Sequence, residues 1–560
     1  MLTYSYENLK KAIDTEVGKK FVEYTKNIYD EYFKDKPITS LKYSHFLLVY
    51  KNGNRDLYET SANMQRRRLA VMQILALSDD GYIDELEDSI NAILEEYTWV
   101  LPAHNLQKDN SFDYSVIDLY SAETAFYLSE IAFVFGDKLS LDIRNRIRYE
   151  IKRRVIDNYE SRKHLWDNII NNWAAVCAGS VGMAYIYAFP ERFDMVKHRI
   201  FNSLECYLKG MNSEGTTPEG VNYWVYGFGY FARFFDLYYQ YTEEFPEILQ
   251  SEKVVNTLKY IDNACLGGKC YLPFADGGAK ETFIYPGVAY ACKNLFGDNY
   301  VLPEYVLDQE YVYKILMKNN KASVLRIIYG MAKYGMGDKK EVKQGTFYYG
   351  QSQIFIHKNQ GYSFTAKCGH NLEMHNHNDV GSFQIVVDGK GVIVDSGPGK
   401  YTWEYFNDDN YRYSEKAFAA GSMGHSVPIV NGKYQNTGVK YCGKVLEQTD
   451  KNFKLDLAKA YDGGVENLTV DYQMLTNGVK VVYDCKGIES SITFRFLSFN
   501  EPRLNSDGSV DVGIIVKSLS KLNVKIGSVK TGEHDAQTVY TLDYTVEDCK
   551  DLIQEFTFTL

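Results

Sequence analysis

Two histidines stand two residues apart in the segment His375-Asn376-His377-Asn378-Asp379-Val380-Gly381-Ser382-Phe383, and a carboxylate follows two residues later. The alternating run Phe383-Gln384-Ile385-Val386-Val387 then reads as a strand. Side chains at i and i+2 of an extended segment share a face. His375 and His377 are therefore expected side by side at the mouth of a sheet, a placement that suits a proton-transfer imidazole, His375, beside a metal-ligating one, His377. A single His-x-His reads as a polar turn. Here His370, His375, His377 and His425 place four of the ten histidines between residues 370 and 425, with Asp395 among them. Two imidazoles and a carboxylate, His377, Asp395 and His425, together with a water would satisfy four-coordinate Zn²⁺ in a structural role.

Three other segments carry groups of the same kind. Trp166-Asp167-Asn168-Ile169-Ile170-Asn171-Asn172-Trp173 opens an apolar helix. An asparagine there caps a helix, but a neutral amide can also hold a carboxylate on its way to an enediolate. Pro218-Glu219-Gly220-Val221-Asn222-Tyr223-Trp224-Val225-Tyr226-Gly227-Phe228-Gly229-Tyr230 puts Tyr223, Tyr226 and Tyr230 at i, i+3 and i+7, on one helical face. Such a stripe is core or, at a helix entrance, a source of acid and base. Trp99-Val100-Leu101-Pro102-Ala103-His104 is a helix exit with an indole and an imidazole. The five tryptophans, Trp99, Trp166, Trp173, Trp224 and Trp403, all fall in or near these segments.

The elements that must position these groups change character along the chain. With 560 residues, two or three domains are expected. Up to about residue 335 the apolar spacing is helical, as in Leu69 to Leu77, Ile83 to Tyr97, Ala122 to Phe135, Ile143 to Tyr159, Trp173 to Phe189 and Tyr223 to Tyr241. Successive helices separated by Gly and Pro predict a solenoid or closed toroid of helical hairpins over 1–335. From about 345 the period becomes two, with Asn-Gly turns at Asn431-Gly432 and Asn477-Gly478, which predicts an antiparallel β-sandwich over 345–560. The expected class is α+β with several domains, joined near Lys333 to Gly345.

Composition narrows the partners. Aromatic residues make up 15% of the chain, including 48 tyrosines, and flat faces with polar tips suit carbohydrate. Net charge is −11 and no basic tract stands out, which argues against nucleic acid. No run of 18 apolar residues predicts a membrane span. Nine scattered cysteines predict reduced thiols. The first residues lack a leader-length apolar segment, so a cytoplasmic protein is expected, or a secreted one if a leader was removed.

Taken together, Trp-x-x-Pro-Ala-His (99–104), Asn-Asn-Trp (171–173), Pro-Glu-Gly-x-x-Tyr-Trp-x-Tyr-Gly (218–227), His-Asn-His-Asn-Asp-x-Gly-Ser-Phe (375–383), Asp395-Ser396-Gly397 and His425-Ser426-Val427-Pro428-Ile429-Val430-Asn431-Gly432 resemble the heparinase II/III-like polysaccharide lyases. The resemblance runs in order from about 95 to 435. It implies an (α/α) toroid followed by an antiparallel β-sandwich, and β-elimination at uronic acids of acidic polysaccharides or oligosaccharides. It implies that Asn172 neutralises the uronate carboxylate, that Tyr226 or Tyr230 is base and acid, that His375 is a second base, and that His377, Asp395 and His425 bind structural zinc. Substrate contacts are expected from Trp99, His104, Asn171 and Trp173, and from Glu219, Tyr223, Trp224 and Arg412. One departure is Trp173, where several relatives have histidine after the asparagine, so His104 or Arg412 is expected to supply a further donor. Two competing readings stay open. One is a glycoside hydrolase with Glu219 and Asp276 as its carboxylate pair. The other is a non-catalytic carbohydrate-binding protein on the same scaffold.

Overall fold

The computed structural model describes residues 2–105, 111–318, 323–337, 342–531 and 537–560. The chain forms two compact units. The first comprises Met1–Gly210, Val225–Gln250 and Ile284–Lys340, and the second Met211–Trp224, Ser251–Phe283 and Glu341–Leu560. The single join expected near Lys333 to Gly345, part of which (338–341) lies outside the described residues, is thus only one of several crossings. Met211–Trp224 and Ser251–Phe283 belong with the strands because their hydrogen bonds go there. Asn212 Nδ2 donates to Ser352 Oγ at 2.8 Å, Lys358 Nζ to Asn263 O at 2.9 Å, and Ser363 Oγ to Leu266 O at 2.6 Å.

The first unit is helical. Leu119–Phe135 and Asn172–Ala188 are apolar nearly all round and buried along most of their length, the pattern of helices surrounded by others. Ile83–Leu94 and Phe193–Gly210 instead bury one stripe. Neighbours form a closed ring. Asp56–Ser78 reaches Leu119–Phe135 through Arg66, whose Nη2 donates to Thr124 Oγ1 at 3.1 Å. Leu119–Phe135 packs on Asn172–Ala188, then follow Gly229–Thr242, Pro286–Phe296, Leu325–Tyr334 and Tyr6–Ile13, which returns to Asp56–Ser78. This is a toroid. Its interior is partly ionic. Arg326 Nε donates to Glu130 Oε1 at 2.7 Å, with side chains 2% and 1% exposed, and Arg326 Nη1 donates to Arg233 O at 3.0 Å. Among the described residues no single helix is long and apolar enough to cross a membrane.

The second unit is an antiparallel sandwich. A five-stranded sheet runs Gly345–Tyr349, Ile354–Lys358, Ser363–Lys367, Phe383–Val387 and Lys390–Ile393. An eight-stranded sheet is centred on Asn467–Leu475, Gly478–Lys486 and Asp551–Thr559, and a four-stranded sheet holds Val524–Lys530, Thr538–Glu547, Ser491–Ser498 and Pro428–Val430. Inward residues of all three make one aromatic core. Phe355 lies against Phe453 (5.0 Å between ring centroids), Phe383 against Tyr472 (5.4 Å), and Phe496 against Phe556 (5.0 Å). The expected strand 383–387 forms as read. Asn431 (φ 51°) and Gly432 (φ 70°) form the turn that carries the strand Pro428–Val430 onward.

Candidate active site

The histidine segment of the second unit sits between the strands Ser363–Lys367 and Phe383–Val387. It is not extended there. His375 has φ 54°, in the left-handed region that histidine tolerates better than most residues. The two imidazoles still converge, because both bind one buried carboxylate. His375 Nδ1 donates to Asp276 Oδ2, and His377 Nε2 donates to Asp276 Oδ1 at 3.2 Å. Tyr401 Oη donates to Asp276 Oδ2 at 2.6 Å. Glu219 Oε1 lies 3.4 Å from His375 Nε2 on the other side of the ring. The Tyr223 ring lies 4.0 Å, centroid to centroid, from the His375 ring, and its hydroxyl is 3.1 Å from that of Tyr401. His375 keeps 19% of its side chain exposed while Asp276 keeps 1%.

The backbone explains the convergence. Gly220 (φ 92°) lies against the Phe274–Gly277 turn, where an added Cβ would meet Phe274 O at 2.7 Å. A side chain at 220 would hold apart the two turns that carry Glu219 and Asp276. Asn222 Nδ2 donates to Asp276 O at 3.0 Å, and Arg412 Nη2 donates to Asn376 O at 2.9 Å, fixing the His375 loop from above. A cavity of about 270 Å³ adjoins these turns, lined by Thr217, Gly220, Phe274, Ala275, Glu373 and Met374 among others.

Electrostatics follow from this packing. Burial alone would lower the pKa of His375, but hydrogen bonds and charge from Asp276 and Glu219 outweigh it and raise the value to about 9. Burial alone would raise that of Asp276, but the hydrogen bonds from His375 and His377 hold it well below the usual carboxylate range. Burial, then the Asp276 charge, raises the Tyr223 hydroxyl.

Behind this cluster, His425 Nδ1 donates to Asp395 Oδ2 at 2.7 Å, and the His377 and His425 rings are 5.2 Å apart. Carboxylates only accept, so the bonded nitrogen of each ring carries the hydrogen. The other nitrogens, His377 Nδ1 and His425 Nε2, are buried without a hydrogen-bond partner. His377, Asp395 and His425 each offer a ligand atom within 4.8 Å of the others. Two buried imidazole nitrogens lacking partners beside a carboxylate fit a divalent metal such as zinc.

The remaining candidates belong to the first unit. Asn171 is the N-cap of Asn172–Ala188, its Oδ1 accepting from Trp173 N at 3.1 Å. Asn172 is the buried first residue of that helix. His104 meets the Trp173 ring edge-on at 4.9 Å, and its Nδ1 donates to Asp118 Oδ2 at 2.7 Å. Asp118 also caps Leu119–Phe135 with Ser121. The departure at Trp173 thus comes with an imidazole, His104, against the Trp173 ring.

Several expectations need correcting. Tyr223, Tyr226 and Tyr230 do not share one face, because Trp224–Phe228 is a π-helical turn between the helices Val221–Tyr223 and Gly229–Thr242. The wider turn breaks the i, i+3, i+7 alignment, and Tyr223 falls in the second unit while the other two fall in the first. Tyr230 is 1% exposed, donates to Glu123 Oε1 at 2.5 Å and is 2.7 Å from the Tyr127 hydroxyl, which makes it part of the interior. Trp99 and Trp224 are likewise core, at 1% and 0% exposure, with no face for a sugar. Arg412 donates from Nη2 to the loop carbonyl of Asn376 and lies over Tyr405 at 4.6 Å, while its Nε is buried without a hydrogen-bond partner. Glu219 and Asp276, the pair a glycoside hydrolase would need, both point at His375. Sequence reasoning missed Tyr401, Glu123 and Asp118.

No family profile matches the sequence, and no curated protein matches it. Solved structures do. A heparan sulfate lyase HepC mutant from Pedobacter heparinus aligns with a TM-score of 0.58 at 11% identity, covering 89% of this chain and 76% of that one. A heparinase III aligns with 0.58 at 12%, covering 100% and 93%. The chondroitin AC lyase of Streptomyces coelicolor A3, in complex with chondroitin sulphate, aligns with 0.56 at 10%, covering 99% and 82%. The fold is that of the polysaccharide lyases. The lyase toroid and sandwich expected from the sequence are both present, and the chain spans most of the length of each of these lyases.

Proposed function

We propose that the chain is a polysaccharide lyase that cleaves uronate-containing glycans by β-elimination, leaving a C4–C5 double bond. The lyase fold supports the reaction class. The observation that carries the reading is His375, mostly buried but still reached by solvent, held in a left-handed conformation between Asp276 and Glu219 with Tyr223 against its ring.

Elimination needs charge stabilisation at the uronate carboxylate, a base for the C5 proton and an acid for the departing O4. With its pKa raised to about 9, His375 is an imidazolium near neutral pH. In that form it cannot take the C5 proton, the role expected from the resemblance. It serves instead as the cation that offsets the carboxylate charge. Tyr223, protonated at rest, is the proposed hydroxyl donor to O4. Asn172 keeps the amide-donor role and Tyr226 the role of base, both on chemistry alone. Burial and Glu123 raise the Tyr226 pKa, so turnover through it climbs with pH.

Digestion of hyaluronan, chondroitin, heparan, alginate and plant uronates, followed by ultraviolet absorbance, tests the reaction. An absorbing unsaturated product supports elimination. New reducing ends without absorbance would make the protein a hydrolase. Tyr226→Phe should abolish turnover while sparing binding; unchanged turnover moves the base elsewhere.

We also propose that His377, Asp395 and His425 hold one zinc ion. Bound there, the metal would supply a structural crosslink pinning the His375 loop to the strand end at Asp395 and to the His425 turn. Elemental analysis finding well under one equivalent, with a melting temperature unmoved by a strong chelator, would leave a hydrogen-bonded His-Asp-His cluster instead.

A further inference from the structure

The first unit contains a cavity of about 560 Å³ that shares no residue with the histidine cluster. Its walls are aromatic. Tyr43 and Tyr97 meet at 5.2 Å, Phe46 lies 5.4 Å from both Tyr97 and Tyr58, and Tyr43 and Tyr97 are 54% and 46% exposed. Large tyrosines left this open on a toroid otherwise closed around its core are available to a ligand.

A buried amide lines the cavity with them. Gln65, only 5% exposed, donates from Nε2 to Thr39 O at 2.7 Å. That bond fixes the amide orientation and leaves Oε1 as a buried acceptor with no partner. A buried acceptor of this kind awaits a donor.

Charge sets the class of ligand. Among the described residues no lysine or arginine lines the cavity. Glu96 is occupied by Arg66, and Glu95 by Arg146 at 3.0 Å. A sulfate or carboxylate would meet no counter-charge here. An uncharged sugar meets flat aromatic faces for its C–H surface and an acceptor for a hydroxyl or acetamido N–H.

The cavity wall also continues into the His104 segment. Tyr97 and His104 lie on the same short stretch of chain, Tyr97-Thr98-Trp99-Val100-Leu101-Pro102-Ala103-His104, and Tyr50 Oη donates to Asn105 O at 3.2 Å. We propose that this cavity is a saccharide subsite that holds an uncharged sugar residue of the glycan being processed. That the bound glycan is also cleaved rests on the lyase reading; the binding chemistry does not.

The test titrates full-length protein calorimetrically with N,N′-diacetylchitobiose, a neutral probe without uronate, and with unsulfated and sulfated chondroitin hexasaccharides. The neutral disaccharide should bind wild type, and Gln65→Met and Tyr43→Ala should each weaken it about tenfold or more. Tyr43 is exposed enough that its replacement leaves the fold intact, which a thermal melt checks. The unsulfated hexasaccharide should lose affinity in the same variants by a similar factor. Absence of disaccharide binding, affinity unchanged in both variants, or tighter binding of the sulfated hexasaccharide would overturn the assignment. Wild type that binds the disaccharide yet yields no unsaturated product from any uronate would sink the lyase reading and leave the subsite standing.

Discussion

Two buried charged clusters, one in each unit, are built on opposite plans. In the first unit Glu130 accepts from Arg326 Nε at 2.7 Å, Tyr187 Oη at 3.2 Å and Ser323 Oγ at 3.1 Å, and the guanidinium also reaches Arg233 O and Tyr187 Oη. Its carboxylate is satisfied from several sides and is 1% exposed. In the second unit Asp276 is equally buried, yet it hands its charge to an imidazole with 19% exposure, and the neighbouring His377 Nδ1 and His425 Nε2 have no partner. The first plan closes a core. The second leaves valences open, as a site for substrate or metal must.

The comparison can be broken most sharply at Asp276. Asp276→Asn should lower turnover by ~10²–10⁴-fold, because the amide cannot hold His375 charged. A melting temperature within a few degrees of wild type would separate this loss from unfolding. Turnover within a factor of a few of wild type would remove His375 and its carboxylate from the mechanism.

The matching change in the other cluster is Arg326→Met. It leaves Glu130 buried without its cation and should cost about 3–5 kcal/mol of stability, read by denaturant titration. The activity of protein that remains folded should change little. A neutral result would mean that the toroid interior admits water to Glu130.

A smaller effect concerns pH. The folded pKa of His375 is raised from 6.5 to about 9. A raised value means that the His375–Asp276 interaction contributes fully below pH 6.5 and is lost as pH climbs through about 9. The stability advantage of wild type over His375→Gln should therefore shrink across that window, and the climb of turnover with pH that a Tyr226 base imposes should level off above it. A constant advantage from pH 6 to 10 would contradict the assignment. The mildest change is Tyr230→Phe, which removes one hydroxyl from Glu123 and Tyr127 and should cost about 1 kcal/mol with turnover retained. Abolished turnover would restore Tyr230 as a proton-transfer group.

Much of the fold was legible, because the switch from helical to two-residue spacing is a local property of the chain. The runs Ala122 to Phe135 and Trp173 to Phe189 became the most deeply buried helices for the reason they were noticed, their apolar density. The grouping of His377 with Asp395 and His425 was legible from residue type. Partnerships across long separations were not. Asp276 lies 99 positions before His375, and nothing in Phe-Ala-Asp-Gly-Gly distinguishes an imidazole's partner from a glycosidase carboxylate. Tyrosine spacing failed for a different reason. Periodicity assumes one helical pitch, and the turn Trp224–Phe228 does not keep it. Trp99 and Trp224 misled because an indole suits a core as well as a sugar.

That wide turn also sets how the segment can change. Removing one residue from Trp224–Phe228 would let the chain wind continuously at 3.6 residues per turn from Val221 to Thr242. The face that carries Tyr226 and Tyr230 would then turn by about 100° relative to Tyr223, which lies against His375. The distribution of tyrosines between the two clusters is thus encoded by chain length as much as by residue identity, and a single-codon deletion would reassign it where no point substitution could.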